Sequence, residues 1–154
     1  MTAQQAVLSL TTVSLAGCGG VLVLIRGDNP LLKGLNWMGW ALGVGGLAAG
    51  LTLLSGEQAA LHPLANLGIL LAFIFGYRAE RYLLGLGTQM GRLASALLGT
   101  ECLCMALQWT NLLSYSTADL MLSIFVALQL ANTARIILQY GTARARRPAQ
   151  AAVG

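Results

Sequence analysis

Five long apolar runs dominate this chain, at about residues 5–25, 35–54, 60–77, 93–113 and 118–140. A helix that crosses the hydrocarbon of a bilayer needs roughly 20 such residues. The runs lack the alternation of a half-buried strand and are too long to be strands. Composition points the same way. Only 9% of the 154 residues are charged, against about 25% in soluble domains. The hydrophobic fraction is 56% and the mean hydropathy is +0.71. So few charges cannot clothe a soluble fold, and so apolar a chain is not intrinsically disordered. Nine Lys and Arg against five Asp and Glu leave a net charge of +4, but the cations form no stripe for nucleic acid. The expected class is all-α, an integral membrane bundle of five helices, with residues 1–143 as the membrane domain and 144–154 as a short basic, disordered tail. Short links make successive spans antiparallel neighbours.

The cations set an orientation. Arg26 and Lys33 fall in the first link, and Arg78, Arg81 and Arg92 in the third. Arg135, Arg144, Arg146 and Arg147 lie at the end of the fifth span and in the tail. The N-terminus, second link and fourth link carry no Lys or Arg. With five spans all nine cations share one side, and by the positive-inside rule that side is the cytoplasm. The N-terminus is then outside and the C-terminus inside, in a bacterial inner membrane. The first run has no basic leader and no polar transition, so it reads as a span rather than a cleaved signal. Leu15-Ala16-Gly17-Cys18 resembles a lipoprotein lipobox. The apolar run continues past it without a polar tether, which favours an ordinary transmembrane cysteine.

Gly39, Gly43, Gly46 and Gly50 are spaced four, three and four, on one face of the second helix. Glycine lets helix backbones approach closely in lipid, so this row is the expected packing seam, within the chain or between two copies. Ala65, Gly68, Ala72 and Gly76 form a weaker row on the third helix. Trp37 and Trp40 fit an aromatic belt at the inner interface.

Glu101 is the one acidic residue deep in a run, and an intramembrane ionisable group is a functional hypothesis by default. It stands eight residues above Leu93, about 12 Å from the inner end. Asn132 is eight residues above Tyr140, at matching depth, with Arg135 a turn lower. Glu101 is therefore expected to face Asn132 and pair with Arg135, with Cys104, Gln108 and Gln129 extending the polar face. This cluster reads as a structural clamp, a proton- or ligand-responsive site, or a neutral Glu101 against lipid or a partner helix. His62 next to Pro63 reads as a polar helix-end residue, and Asn66 as a hydrogen-bonding group within the bundle. A single histidine makes no zinc site, and Cys102 and Cys104 point away from each other on a helix. No metal, cofactor or catalytic group is expected. The chain lacks a phosphate loop, a His-Glu-x-x-His zinc motif and a nucleophile elbow. Gly85-Leu86-Gly87 is a poor phosphate turn, with no strand before it and its third glycine one residue late. Five spans do not divide into the inverted repeats of a transporter.

Two segments carry a family resemblance. Leu35-Asn36-Trp37-Met38-Gly39-Trp40 opens a small-residue helix. Pro63-Leu64-Ala65-Asn66 and then Gly76-Tyr77-Arg78-Ala79-Glu80-Arg81-Tyr82-Leu83-Leu84-Gly85 bracket the next one. Over roughly residues 5–90 this resembles the membrane-embedded N-terminal region of proteobacterial GGDEF-domain diguanylate cyclases, with Tyr82 in an aromatic place of the exit motif. The resemblance implies a sensory input or anchor module in cyclic-di-GMP-related signal transduction, acting with a cytoplasmic signalling partner. Gly19-Gly20 and Gly45-Gly46 lack the acidic residues and phenylalanine of the cyclase motif. No catalytic or GTP-binding residue carries over, so the chain itself is not expected to be an enzyme. A competing expectation is a small structural subunit of an inner-membrane complex, docked through its glycine face. Lipid, a second copy or a signalling protein are the expected partners, and nucleic acid is not.

Overall fold

A computed structural model describes residues 3–25, 27–55, 59–86 and 91–141. Helix makes up 89% of these, and no strand occurs among them. The elements are α1 (Ala3–Val23), α2 (Pro30–Ser55), a 3-10 turn (Ala59–Leu61), α3 (His62–Leu83), α4 (Arg92–Trp109) and α5 (Tyr115–Ile136). A π-helical turn (Ile137–Gly141) continues α5. Four helices, α1, α2, α3 and α5, are long and apolar enough to cross a membrane. α4 falls outside that set. It has 18 residues, about 27 Å of rise, and carries Glu101 and Gln108. The fourth apolar run was expected to reach residue 113, but its helix stops at Trp109. Arg26, Glu57 and the 144–154 tail lie outside the described residues.

Helix boundaries follow local chemistry. Asn29 Oδ1 accepts the Leu31 amide at 2.9 Å, and Pro30 takes the first helical position of α2, where its missing N–H costs nothing. α3 ends at Gly85, whose φ of +74° suits glycine. The Leu86 amide closes back on the Arg81 carbonyl at 2.8 Å. Gly85 is thus a helix stop and not part of a phosphate turn. α4 stops in the same way at Asn111, φ 58°, with the Leu112 amide on the Leu107 carbonyl at 2.9 Å. Three residues later Ser114 Oγ accepts the Thr117 amide and caps α5.

α2 is the central helix of the first half and uses two small-residue faces. One lies against α1. A Cβ on Gly39 would stand 2.6 Å from the Val23 amide nitrogen, and one on Gly46 would stand 2.7 Å from that of Ala16. A Cβ on Gly19 would run into the backbone of Gly39 and Gly43. Gly50 faces Thr12. The opposed pairs are 23/39, 19/43, 16/46 and 12/50, one unbroken antiparallel register. The second face meets α3, where Gly34 lies against Leu83, Gly45 against Ala72 and Ala48 against Gly68. Gly68 and Ala72 belong to the weaker row of the third helix. The link between α1 and α2 is tied by Asn36, whose Nδ2 donates to the terminal carbonyls of Val23 (2.7 Å) and Ile25 (3.2 Å).

The second half packs by side chains. Leu70 and Ile74 of α3, Ala94 and Leu97 of α4 and Leu122 of α5 form its core, flanked by Phe75 and Phe125. The described cations gather at one end. Arg78 stacks on Trp37, 4.1 Å from the ring centroid, and Trp37 meets Phe75. Gly91, just before Arg92, lies beside the Tyr77 hydroxyl. Arg81 and Arg135 line one groove.

The seam makes a directional prediction. Gly39→Ala and Gly46→Ala should each lower stability by about 1–3 kcal/mol, because backbone atoms must move to admit the methyl. Gly43→Ala should be neutral or stabilising, since its Cβ would meet nothing within 4 Å. Thermal unfolding in a fixed detergent compares the three, and equal behaviour would contradict the register.

Candidate functional site

α4 turns its polar residues inward. Its buried row is Ala94, Leu97, Glu101, Cys104 and Gln108, spaced three, four, three, four. On α5 the buried residues are Ala118, Leu122, Gln129 and Ile136. Outward lie Leu103, Leu120, Ile124, Leu128 and Leu130, all exposed. Leucine outside with glutamine and glutamate inside reverses the pattern of a helix facing water, and it suits helices facing lipid.

Glu101 has no accessible surface, and Gln129 has none either. Among the described residues, neither carboxyl oxygen of Glu101 has a hydrogen-bond partner, and the side-chain amides of Gln108 and Gln129 have none. Cys104 Sγ contacts Met121 Sδ at 3.6 Å. The α3–α4–α5 junction thus holds Glu101, Cys104, Gln108 and Gln129. Its three largest polar groups are desolvated without compensation, and each such group costs about 1–3 kcal/mol.

The expected pairing of Glu101 with Asn132 and Arg135 does not form. The Cys104–Met121 contact fixes the register. Glu101, a turn below Cys104, comes level with about Phe125, some 10 Å above Asn132 and 15 Å above Arg135. Matching the helices at their inner ends was the error. They are aligned at their other ends by the short 110–114 turn. There α4 has 18 residues, while α5 has 22 and a five-residue π turn beyond. Asn132 is half-buried and Arg135 exposed, and both line the groove at the cation-rich end.

The opposite end carries a site that the sequence reading did not assemble. Asp119 Oδ1 accepts from His62 Nε2 at 2.7 Å and from Asn66 Nδ2 at 3.0 Å. The Tyr115 ring meets the His62 ring edge to face at 5.2 Å. Trp109 Nε1 donates to the Ala60 carbonyl at 3.3 Å. One carboxylate therefore ties the first turn of α5 to the first two turns of α3. His62 is thus more than a polar helix-end residue, and Asn66 finds the hydrogen bond expected of it within the bundle. The available signal was that His62 opens α3 and Asp119 lies one turn into α5, in helices that enter from the same end. No group of three His, Cys, Asp or Glu capable of holding a metal occurs among the described residues.

Cys18 lies inside unbroken α1, exposed on its outer surface. Cys102 is exposed and Cys104 buried, on different sides of α4. Trp37 is held between Arg78 and Phe75, while Trp40 is 47% exposed. No protein-family model, curated protein or solved structure matches the chain.

A double-mutant cycle on His62→Ala and Asp119→Ala tests the tie. Both side chains are partly exposed, at 24% and 50%, so the expected coupling is modest, about 0.2–1 kcal/mol. Asn66→Ala should remove part of the same coupling. Strict additivity of the His62 and Asp119 losses would show that the contact contributes nothing.

Proposed function

We propose that this chain is a five-span membrane input and anchor module for a cytoplasmic signalling partner, with the N-terminus outside and the C-terminus inside. The single observation that carries the reading is the unpartnered polar row of Glu101, Gln108 and Gln129 in the α3–α4–α5 junction. A junction packed on unsatisfied groups has a neighbouring arrangement in which they find partners, so two packings lie close in free energy. A ligand or a change in the bilayer that favours one packing shifts the balance by its differential affinity. α5 spans the junction, is tied at one end by Asp119, and emerges at the other beside the described cations. A change in its position is thereby delivered to the basic side. The resemblance of residues 5–90 to the membrane region of diguanylate cyclases agrees with this role. In this reading α4 also crosses the membrane, as the fourth of five spans, covered by α3 and α5 on its polar side, and the partner supplies any catalysis.

Two observations weigh against the competing readings. The glycine face that a docking subunit would offer is occupied by α1 at Gly39, Gly46 and Gly50. Glu101 has no accessible surface, so no water-sized space reaches it as a carrier would require.

Topology is tested by single cysteines in a chain lacking Cys18, Cys102 and Cys104. Glu57→Cys and Leu112→Cys should label from outside in intact cells, and Asp28→Cys and Thr88→Cys only after permeabilisation. Signalling is tested by fusing a diguanylate cyclase domain after Gly154 and reconstituting the fusion in bilayers of different thickness. The cyclase rate should change with thickness in the parent fusion. Glu101→Met should raise the thermal midpoint, because a desolvated carboxyl is replaced by an apolar group, and should flatten the response. A rate indifferent to every bilayer would reduce the module to an anchor.

A further inference from the structure

We propose that the groove between the end of α3 and the end of α5 is a binding site for the phosphate headgroup of an anionic phospholipid. The inference needs only that these helices sit in a bilayer, and it stands apart from the signalling reading. The groove encloses about 400 Å³. Arg81 enters it from α3, and Asn132, Arg135, Gln139 and Tyr140 from α5 and its π turn.

Arg81 is fixed at the rim. Its Nη2 donates to the Leu86 carbonyl at 3.0 Å and its Nη1 to the Tyr77 hydroxyl at 3.4 Å. Its guanidinium is therefore presented without ordering cost at the moment of binding. Arg135 is exposed and takes part in no ion pair among the described residues. Arg81 and Arg135 bring two positive charges to one groove, and the field of two cations favours an anion there. Guanidinium is the side chain best shaped for a phosphate diester, through paired N–H donors. Asn132, Gln139 and Tyr140 add donors for the remaining headgroup oxygens.

Position selects a lipid as the source of the phosphate. The groove opens where α3 and α5 leave their apolar stretches, at the level of a headgroup. Its wall includes Leu86 and Ile136, and the neighbouring Ile137 and Leu138 are exposed. A lipid can lay its first acyl methylenes along these residues while its phosphate meets the arginines. Net negative charge is required, since the ammonium of a zwitterionic headgroup would face two guanidiniums. Basic pockets between helices at the membrane surface recognise lipid headgroups on this principle.

The test uses the full chain in detergent, titrated in parallel with phosphatidylglycerol, phosphatidylcholine, glycerol 3-phosphate and inorganic phosphate. Native mass spectrometry counts bound lipid and thermal unfolding reports affinity. Phosphatidylglycerol alone should be retained and should raise the unfolding midpoint. Arg135→Gln should weaken it about fivefold, the share of one near-surface cation, and Arg81→Gln at least as much. Lys33→Gln, which alters a basic residue outside the groove, should leave it unchanged. Midpoints without lipid establish that each variant is folded, and Arg135→Gln serves alone if Arg81→Gln is not. Equal retention of phosphatidylcholine, or an equal loss in Lys33→Gln, would overturn the site in favour of general surface charge. Equal binding of the water-soluble phosphates would overturn the assignment to lipid.

Discussion

Backbone contact between α1 and α2 sets the geometry on which the rest of the molecule depends. In lipid there is little hydrophobic force to press two apolar helices together, so close packing must supply the attraction. Glycine and alanine at each crossing bring main chains near enough for many weak contacts to add up. Because α2 repeats the device on a second face, α1, α2 and α3 form a plate whose spacing leaves no room for a larger residue at Gly19, Gly39 or Gly46. α4 and α5 are then assembled on the free side of α3.

The two halves differ in what their interfaces are made of. The plate is held by small residues, with Asn36 tying the C-terminal end of α1. The other half combines an apolar core with a row of polar groups that have no hydrogen-bond partners among the described residues. Stability is therefore uneven across the molecule, and segments that move are drawn from its less stable part. α5 belongs to that part, yet it is pinned to the plate at one end through His62 and Asn66.

Much of this was legible in the sequence. Run length alone marked the helices, since a long apolar stretch needs no tertiary information to be recognised. Spacing marked the Gly39–Gly50 row. Its counterpart on α1 (Thr12, Ala16, Gly19 and Val23) has the same four, three, four spacing, but Gly17 and Gly20 on either side of Gly19 blur it. The inward polar face of α4 was visible as Glu101, Cys104 and Gln108. What those residues meet was not, because depth was counted from ends that do not coincide. The His62–Asp119 contact joins residues 57 apart. It exists only because α3 and α5 run the same way side by side, and nothing local encodes that.

The inward polar row of α4 also bears on how the protein is made. A charged residue at the centre of a lone helix costs about 2.5–3.5 kcal/mol to insert into a bilayer, and α4 carries Gln108 besides Glu101. Such a helix does not partition into lipid by itself, whereas α3 and α5 do so readily. If α4 crosses the membrane as proposed, the five-residue turn from Thr110 to Ser114 is short enough to deliver α4 and α5 to it as one hairpin. On that proposed topology, insertion of this half depends on α5 as a partner for the polar face of α4.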